Sequence, residues 1–323
     1  MDTLKYFIKR VLLMFLTFFI IMSMLFILVR LLPNPIAYEP GSDSFESEMA
    51  WRENWGYNKP IIVQYGIFLK NLFTKFDWGV STKMYHMKSV TSIVFDKLPP
   101  TMLVNFLAMI VSVPLGLLLG AFAALKKNKW QDQVISVGTM IFISIPSYVS
   151  CFLIQFLLCA KLGWFPIIMD GFDNIQELFS WDVIYSLFPA VLALATGTVA
   201  GFTRTTRAEL TEVLTGEYML LARTKGLTRW QATIKHAFRN SMVIIVPMIM
   251  GEVISILGGS LIVENVFSIP GVGSIYISAI GSKDYNVFLF VSLFYVFIGL
   301  LSAIIVDISY GFIDPRIRVG GRK

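Results

Sequence analysis

Charge is in short supply in this sequence. Only 15% of its 323 residues are Asp, Glu, Lys or Arg, against about a quarter in a soluble globular domain. That is too little to coat a water-facing surface, and the same scarcity excludes a disordered chain or a nucleic-acid-binding domain. Cysteine is nearly absent. Cys151 and Cys159 sit in one apolar run, too few for a disulfide framework, and read as small hydrophobes. The two histidines, His86 and His236, are far apart and suggest no metal site. Missing as well are a Ser/His/Asp set, a His-Glu-x-x-His helix and a Gly-x-x-x-x-Gly-Lys-Ser/Thr loop. The chain is therefore expected to be no enzyme, with no catalytic residue, no metal ligand and no cofactor of its own.

What is present is hydrocarbon. Apolar residues make up 56%, Phe alone counts 27, and the mean hydropathy is +0.70. A helix needs roughly 20 apolar residues to cross a bilayer. Val11–Val29 is such a run, without a charge. Lys5, Lys9 and Arg10 ahead of it imitate a signal peptide's basic flank, but the run exceeds the usual length of about 7–15 residues, so a retained first span is expected. Five more follow: Met102–Leu125, Val134–Ala160, Tyr185–Phe202, Met242–Val263 and Val287–Phe312. The second opens at Leu98-Pro99-Pro100-Thr101, and the third carries Ser144-Ile-Pro146-Ser147 near its middle. The expectation is an all-α membrane protein of six transmembrane helices. It divides into 1–98, the first helix plus a polar segment, and 99–323, a five-helix core. The segment 31–98 carries Trp51, Trp55, Tyr57, Tyr65, Phe68 and Trp78, too many aromatics for a disordered loop.

Lysine and arginine orient the chain. With the N-terminus inside, the inner segments hold Lys5, Lys9, Arg10, Lys126, Lys127, Lys129, the basic residues of 204–240, and Arg316, Arg318, Arg322 and Lys323. Most acids fall outside, from Glu39 to Glu264 and Asp284. Both termini are therefore expected in the cytoplasm, and 31–98 outside.

Two features invite a function. The first is 204–240, the long inner segment. Thr215 can cap a helix that begins at Glu217, where the dipole favours an acid. Tyr218, Leu221 and Ala222 fall at i, i+3 and i+4 on one face. Gly226 stops that helix, and Thr228-x-x-Gln231 has the capping-box pattern that starts the next. A docking element for a cytoplasmic partner fits this better than a surface anchor, with Ala222 facing the partner where only a methyl group has space. The second is the fifth span, with Pro247, Gly251, Glu252, Ser255, Gly258 and Gly259. A carboxylate at mid-bilayer costs roughly 2.5–3.5 kcal/mol, so Glu252 must face protein or water. Ser144, Ser147 and Tyr148 in the third span either line a path or only kink and hydrogen-bond.

These residues resemble the permease subunits of ATP-binding-cassette importers for dipeptides, oligopeptides and nickel. The motifs, in order, are Leu31-Leu-Pro33, Pro60-Ile-Ile-Val-Gln64-Tyr65, Asp77-Trp-Gly79-Val-Ser81, Leu98-Pro-Pro-Thr101, Pro114-Leu-Gly116, Ser144-Ile-Pro-Ser147 and Leu162-Gly-Trp164-Phe-Pro166. Then come Arg204-x-x-Arg207, Glu217-Tyr-x-x-x-Ala222-Arg-x-Lys-Gly226, His236-Ala-Phe-Arg-Asn240, Glu264-x-Val-Phe-Ser-Ile-Pro-Gly271-Val-Gly273 and Asp314-Pro-Arg316. The resemblance implies a type I importer permease fold in a bacterial cell membrane, with an ordered extracytoplasmic segment after the first helix. It implies that Glu217, Tyr218, Leu221, Ala222, Arg223, Lys225 and Gly226 couple to an ATPase, and it leaves Ser144, Ser147, Tyr148, Glu252 and Ser255 as path candidates. The expected partners are a second homologous permease, two ATPase subunits that hold ATP and Mg, and an extracytoplasmic solute-binding protein. No nucleic acid is expected. Peptides are favoured over nickel or a metallophore as cargo. An ion-driven secondary transporter, the rival class, would need paired intramembrane ionisable groups and internal repeats.

Overall fold

The computed structural model describes residues 2–36, 38–170 and 175–313. Among these, every element longer than an isolated bridge is a helix. α1 spans Asp2–Leu31, α2 Asp43–Asn54, α3 Ile61–Lys75, α4 Val90–Leu125, α5 Trp130–Ser144, α6 Ser147–Ile154 and α7 Trp181–Thr215. There follow α8 Glu217–Thr224, α9 Arg229–Ala232, α10 Arg239–Ser255, α11 Leu261–Val266, α12 Val272–Ser282 and α13 Tyr285–Ile313. Gln155–Lys161 and Thr233–Phe238 are π-helical. Five stretches are long and apolar enough to cross a membrane: α1, α4, α7, Thr233–Ser255 and α13. Counted as one span, the α5–α6 pair brings the number to the expected six.

Four expected spans are redrawn. The third is not one rod, because α5 and α6 meet at 101°. Pro146 pushes Ile145 into an extended conformation (φ −77°, ψ 122°), as a residue before proline prefers. The second begins at Val90 and runs through Pro99 and Pro100 rather than opening on them. The fifth starts at Thr233 and stops at Ser255, short of Val263, where the Gly258-Gly259 pair breaks the chain and Ser260 caps α11. The fourth span also outruns its expected end at Phe202, into the inner segment 204–240. α7 carries Arg204, Arg207, Glu209 and Glu212 on to Thr215, since a helix need not end where its hydropathy falls. The motif Asp314-Pro-Arg316 lies outside the described residues.

α4 and α7 touch backbone to backbone. A β-carbon on Gly116 would stand 2.6 Å from Phe202 Cβ and 3.1 Å from the Val199 carbonyl oxygen. One on Gly120 would stand 2.6 Å from Thr206 Cβ and 2.7 Å from the Thr203 carbonyl oxygen. In lipid no hydrophobic difference pulls two apolar helices together, so this close van der Waals fit holds the pair. Leu103, Val104, Ala108, Leu187, Ala190 and Val191 continue the contact toward the other end.

The segment between α1 and α4 folds as a cap at one end of the bundle. Phe26 of α1 is fully buried and stacks on Phe68 of α3 at 4.9 Å. Met22, Trp55, Leu72, Leu289 and Leu293 complete that cluster, which joins α1, the cap and α13. Arg30 lies 3.8 Å over the Tyr57 ring. Arg52 binds buried Glu48 at 2.6 Å and donates to the Asn34 carbonyl at 2.8 Å. Asp284, at the head of α13, accepts from Ser81 Oγ at 2.5 Å and from the Lys83 and Met84 N–H groups at 3.0 Å. The Asp77–Ser81 motif is thereby tied to the last helix. Ordered aromatics in 31–98 are thus observed.

The contact at Gly120 makes a direct test. Gly120→Ala should lower stability by about 1–3 kcal/mol through overpacking, read as the thermal unfolding midpoint in detergent. Gly201→Ala, where nothing lies within 4 Å of the added carbon, should lower nothing. Equal losses at the two sites would deny the close contact its role.

Candidate functional site

At the end of the bundle opposite the cap, α8 lies between the foot of α7 and the segment that returns to α10. Gly226 adopts φ +82°, a left-handed turn open to glycine at no steric cost. It ends α8 as expected. The Thr228 N–H donates to Gln231 Oε1 at 3.1 Å and the Gln231 N–H to Thr228 Oγ1 at 3.3 Å, so the capping box is formed. Thr215, in contrast, caps nothing. It is the last residue of α7, its hydroxyl donates to the Thr211 carbonyl at 3.0 Å, and Gly216 takes the position before α8.

The faces of α8 also differ from expectation. Ala222 is buried in a cluster of this chain's own residues: Ala124 at the end of α4, Leu210 of α7, Met219, Ala232 and Ala237. It therefore seats the helix on its own chain, where a face turned to a partner was expected. Leu221 does not share that face: Leu220 and Leu221 are 68% and 55% exposed. Glu217 and Lys225 are exposed with them. The side chains of Tyr218 and Arg223 lie outside what is described. The result is a short helix with Met219 and Ala222 turned in and two leucines turned out, flanked by an acid and a base.

The path candidates fall into two sets. Ser144, Ser147 and Tyr148 are exposed around the α5–α6 bend. Ser144 Oγ is spent on the Met140 carbonyl at 2.8 Å. Glu252 and Ser255 lie on the last turn of α10, near the end of the fifth span and not at its middle. Glu252 is half-buried, with the Thr198 hydroxyl of α7 donating to Oε1 at 3.5 Å. Ser255 donates to the Glu252 carbonyl at 2.7 Å. Among the described residues no hydrogen bond joins the two sets, and α6 and α10 each pack on α7.

Beneath the cap, two of the recurrent motifs converge on one carboxyl group. Glu264 of α11 is fully buried. Its Oε1 accepts from Thr101 of α4 at 3.1 Å and from the Ser260 N–H at 3.3 Å, and its Oε2 accepts from the Gly273 N–H at 2.7 Å. The Val272 N–H in turn donates to Thr101 Oγ1 at 2.9 Å. A β-carbon on Gly271 would stand 2.3 Å from Glu264 Oε2, so the glycine is what admits the carboxyl. Burial pushes Glu264 up to about 7, against the pull of these donors.

A cap, six apolar spans and one short surface helix at the far end form a recognisable constellation. The family model described as binding-protein-dependent transport system inner membrane component matches residues 116–319. The model for that family's N-terminal membrane part matches residues 3–105. The chain belongs to this family. The permease is 31% identical over 315 residues to the dipeptide transport system permease protein DppB of Lactococcus lactis, which covers 98% of this chain and 99% of that one. It is 29% identical over 323 residues to the oligopeptide transport system permease protein OppB of Haemophilus influenzae, at 98% and 99% coverage. It is 31% identical over 319 residues to the glutathione transport system permease protein GsiC of Shigella flexneri, again at 98% and 99%. It is a multi-pass inner-membrane transport component.

Sequence reasoning quoted Thr101 and Glu264 only as motif members. No spacing in the sequence signals their meeting, since 163 residues separate the two. Their link has a pH signature. The folded carboxyl holds its proton more tightly than the unfolded one, so its contribution is full below pH 4.5 and lost as pH rises through about 7. The permease in detergent should lose on the order of 3 kcal/mol of stability between pH 4.5 and 7.5 from this group. Glu264→Gln should flatten that part of the profile. Parallel profiles for parent and variant would rule the assignment out.

Proposed function

We propose that the chain is one of two transmembrane subunits of an ATP-driven importer of peptides. The observation that carries this is the seated surface helix α8, whose outward Leu220 and Leu221 are left exposed among the described residues. An apolar pair this exposed between Glu217 and Lys225 suits a cleft on a water-soluble subunit. Each chain offers one such helix, and a pair of ATPase subunits offers two clefts, which calls for a second permease. ATP and Mg reside on the ATPase subunits, and a solute-binding protein delivers cargo to the cap side. ATP hydrolysis biases inward- and outward-facing states, and α8 passes that bias to the spans. The relatives named for dipeptide, oligopeptide and glutathione transport support peptides as cargo.

This reading puts α8 and both termini in the cytoplasm and the cap outside. Ser44→Cys should react with an impermeant maleimide from the outer side, against a quiet background, because Cys151 and Cys159 are buried. Labelling only after the membrane is opened would reverse the topology.

Leu221→Asp tests the docking surface. The leucine is exposed, so membrane abundance should hold while ATPase co-purification and labelled-dipeptide uptake are lost. Ala222→Asp differs, because it buries an unpaired charge in the seat of α8. It should cost several kcal/mol and reduce abundance first. Uptake of a labelled dipeptide, unaffected by excess Ni²⁺, is the expected cargo result. Ni²⁺ uptake without peptide uptake would exchange the cargo, and parental ATPase association in Leu221→Asp would remove the docking role.

A further inference from the structure

α5 lies against α7 and α4 but buries few of its own side chains there. Of its residues only Asp132 and Thr139 are buried, and the Thr139 hydroxyl is used within α5, on the Ser136 carbonyl at 2.8 Å. Val134, Val137, Met140, Ile141 and Phe142 are exposed. Between α5 and the α4–α7 pair lies an apolar cavity of about 320 Å³, bounded on the α5 side by Ile135, Gly138, Thr139 and Phe142. The apolar contact of α5 with α4 and α7 is thus interrupted by a cavity.

Its first turn is another matter. The Arg207 guanidinium of α7 grips Asp132 with two hydrogen bonds, Nε to Oδ1 and Nη2 to Oδ2, the second at 2.8 Å. Asp132 is 2% exposed. Its Oδ2 also accepts from the Asn128 N–H at 2.9 Å, which fastens the Lys126–Lys129 turn after α4. A two-pronged guanidinium–carboxylate pair fixes direction as well as distance. Arg207 stands one turn before Leu210, and Leu210 is part of the seat under Met219 and Ala222 of α8.

We infer that the Asp132–Arg207 pair is a positioning element of the transport cycle, the joint through which the α7–α8 corner turns the bent span α5–α6. A helix with a cavity along its packed side and a two-pronged ionic pin at one end follows rotation of the pin. Asp132 and Arg207 touch no cargo in this role. They act through α5, whose far end carries the bend at Pro146. The inference rests on the reading of α8 as the ATPase-docking helix.

The test uses the whole transporter in native membranes. Asp132→Asn keeps the shape and an acceptor for Asn128 while removing the ionic grip, and partly exposed Arg207 can turn to water. Arg207→Lys keeps the charge but loses the planar fork. Expected for Asp132→Asn are parental abundance, parental ATPase co-purification, continued ATP hydrolysis, and dipeptide uptake reduced roughly tenfold, in the range seen for residues on coupling routes. Arg207→Lys should fall between this variant and the parent. Parental uptake in Asp132→Asn overturns the inference, as does a loss of uptake that only tracks lost abundance or lost ATPase binding. If the unmodified permease brings no ATPase with it, the docking reading itself fails and takes the inference down. That outcome is seen before any variant is made.

Discussion

The bundle depends on the approach of α4 and α7 at Gly116 and Gly120. Two backbones that meet without intervening side chains leave little freedom of angle or register. The spans next to it are arranged around that pair, and α1 joins through α13. α5 and α6 lie against α7, α10 reaches α4, α7 and α13, and the foot of both helices makes the floor on which α8 sits. The glycines matter because apolar side chains gain nothing by leaving lipid for one another.

Three buried carboxyl groups do a different kind of work: each ties segments distant in sequence. Glu264 joins the entry of α4 to α11 and α12. Asp284 joins the stretch after α3 to α13. Asp132 joins the α4–α5 turn to α7. Buried carboxylates are costly unless they are supplied with donors, and at Glu264 and Asp284 backbone N–H groups from turns supply them. The helices are set by apolar length, and their ends are set by these few acceptors.

Much of this was legible. Runs of uncharged residues located α1 and α13 well, because hydropathy reports burial in lipid directly. Gly226 and the Thr228/Gln231 box were readable because their geometry is local. The bend at Pro146 was visible as a motif, but its size was not, since a proline kink in a helix and a full break begin from the same residues. The length of α7 was hidden because its last turns are charged and still helical. The inward face of Ala222 was lost for a related reason: in an eight-residue helix, apolar residues at i+3 and i+4 sit about 100° apart, and only the neighbouring helices decide which is covered. Glu264 and Asp132 escaped notice because their partners are 163 and 75 residues away, and no periodicity announces such a pair.

The aromatic cluster under the cap bears on how the molecule is made. Met22 and Phe26, near the beginning of the chain, are buried against Leu289 and Leu293, near its end. A ribosome adding about 5–20 residues per second needs on the order of half a minute to get from one to the other. During that time the first helix stands in the bilayer with its eventual neighbour unwritten, and the cap has only one of its two walls. The cap therefore cannot close before α13 has been made, and until then its aromatic cluster lacks Leu289 and Leu293.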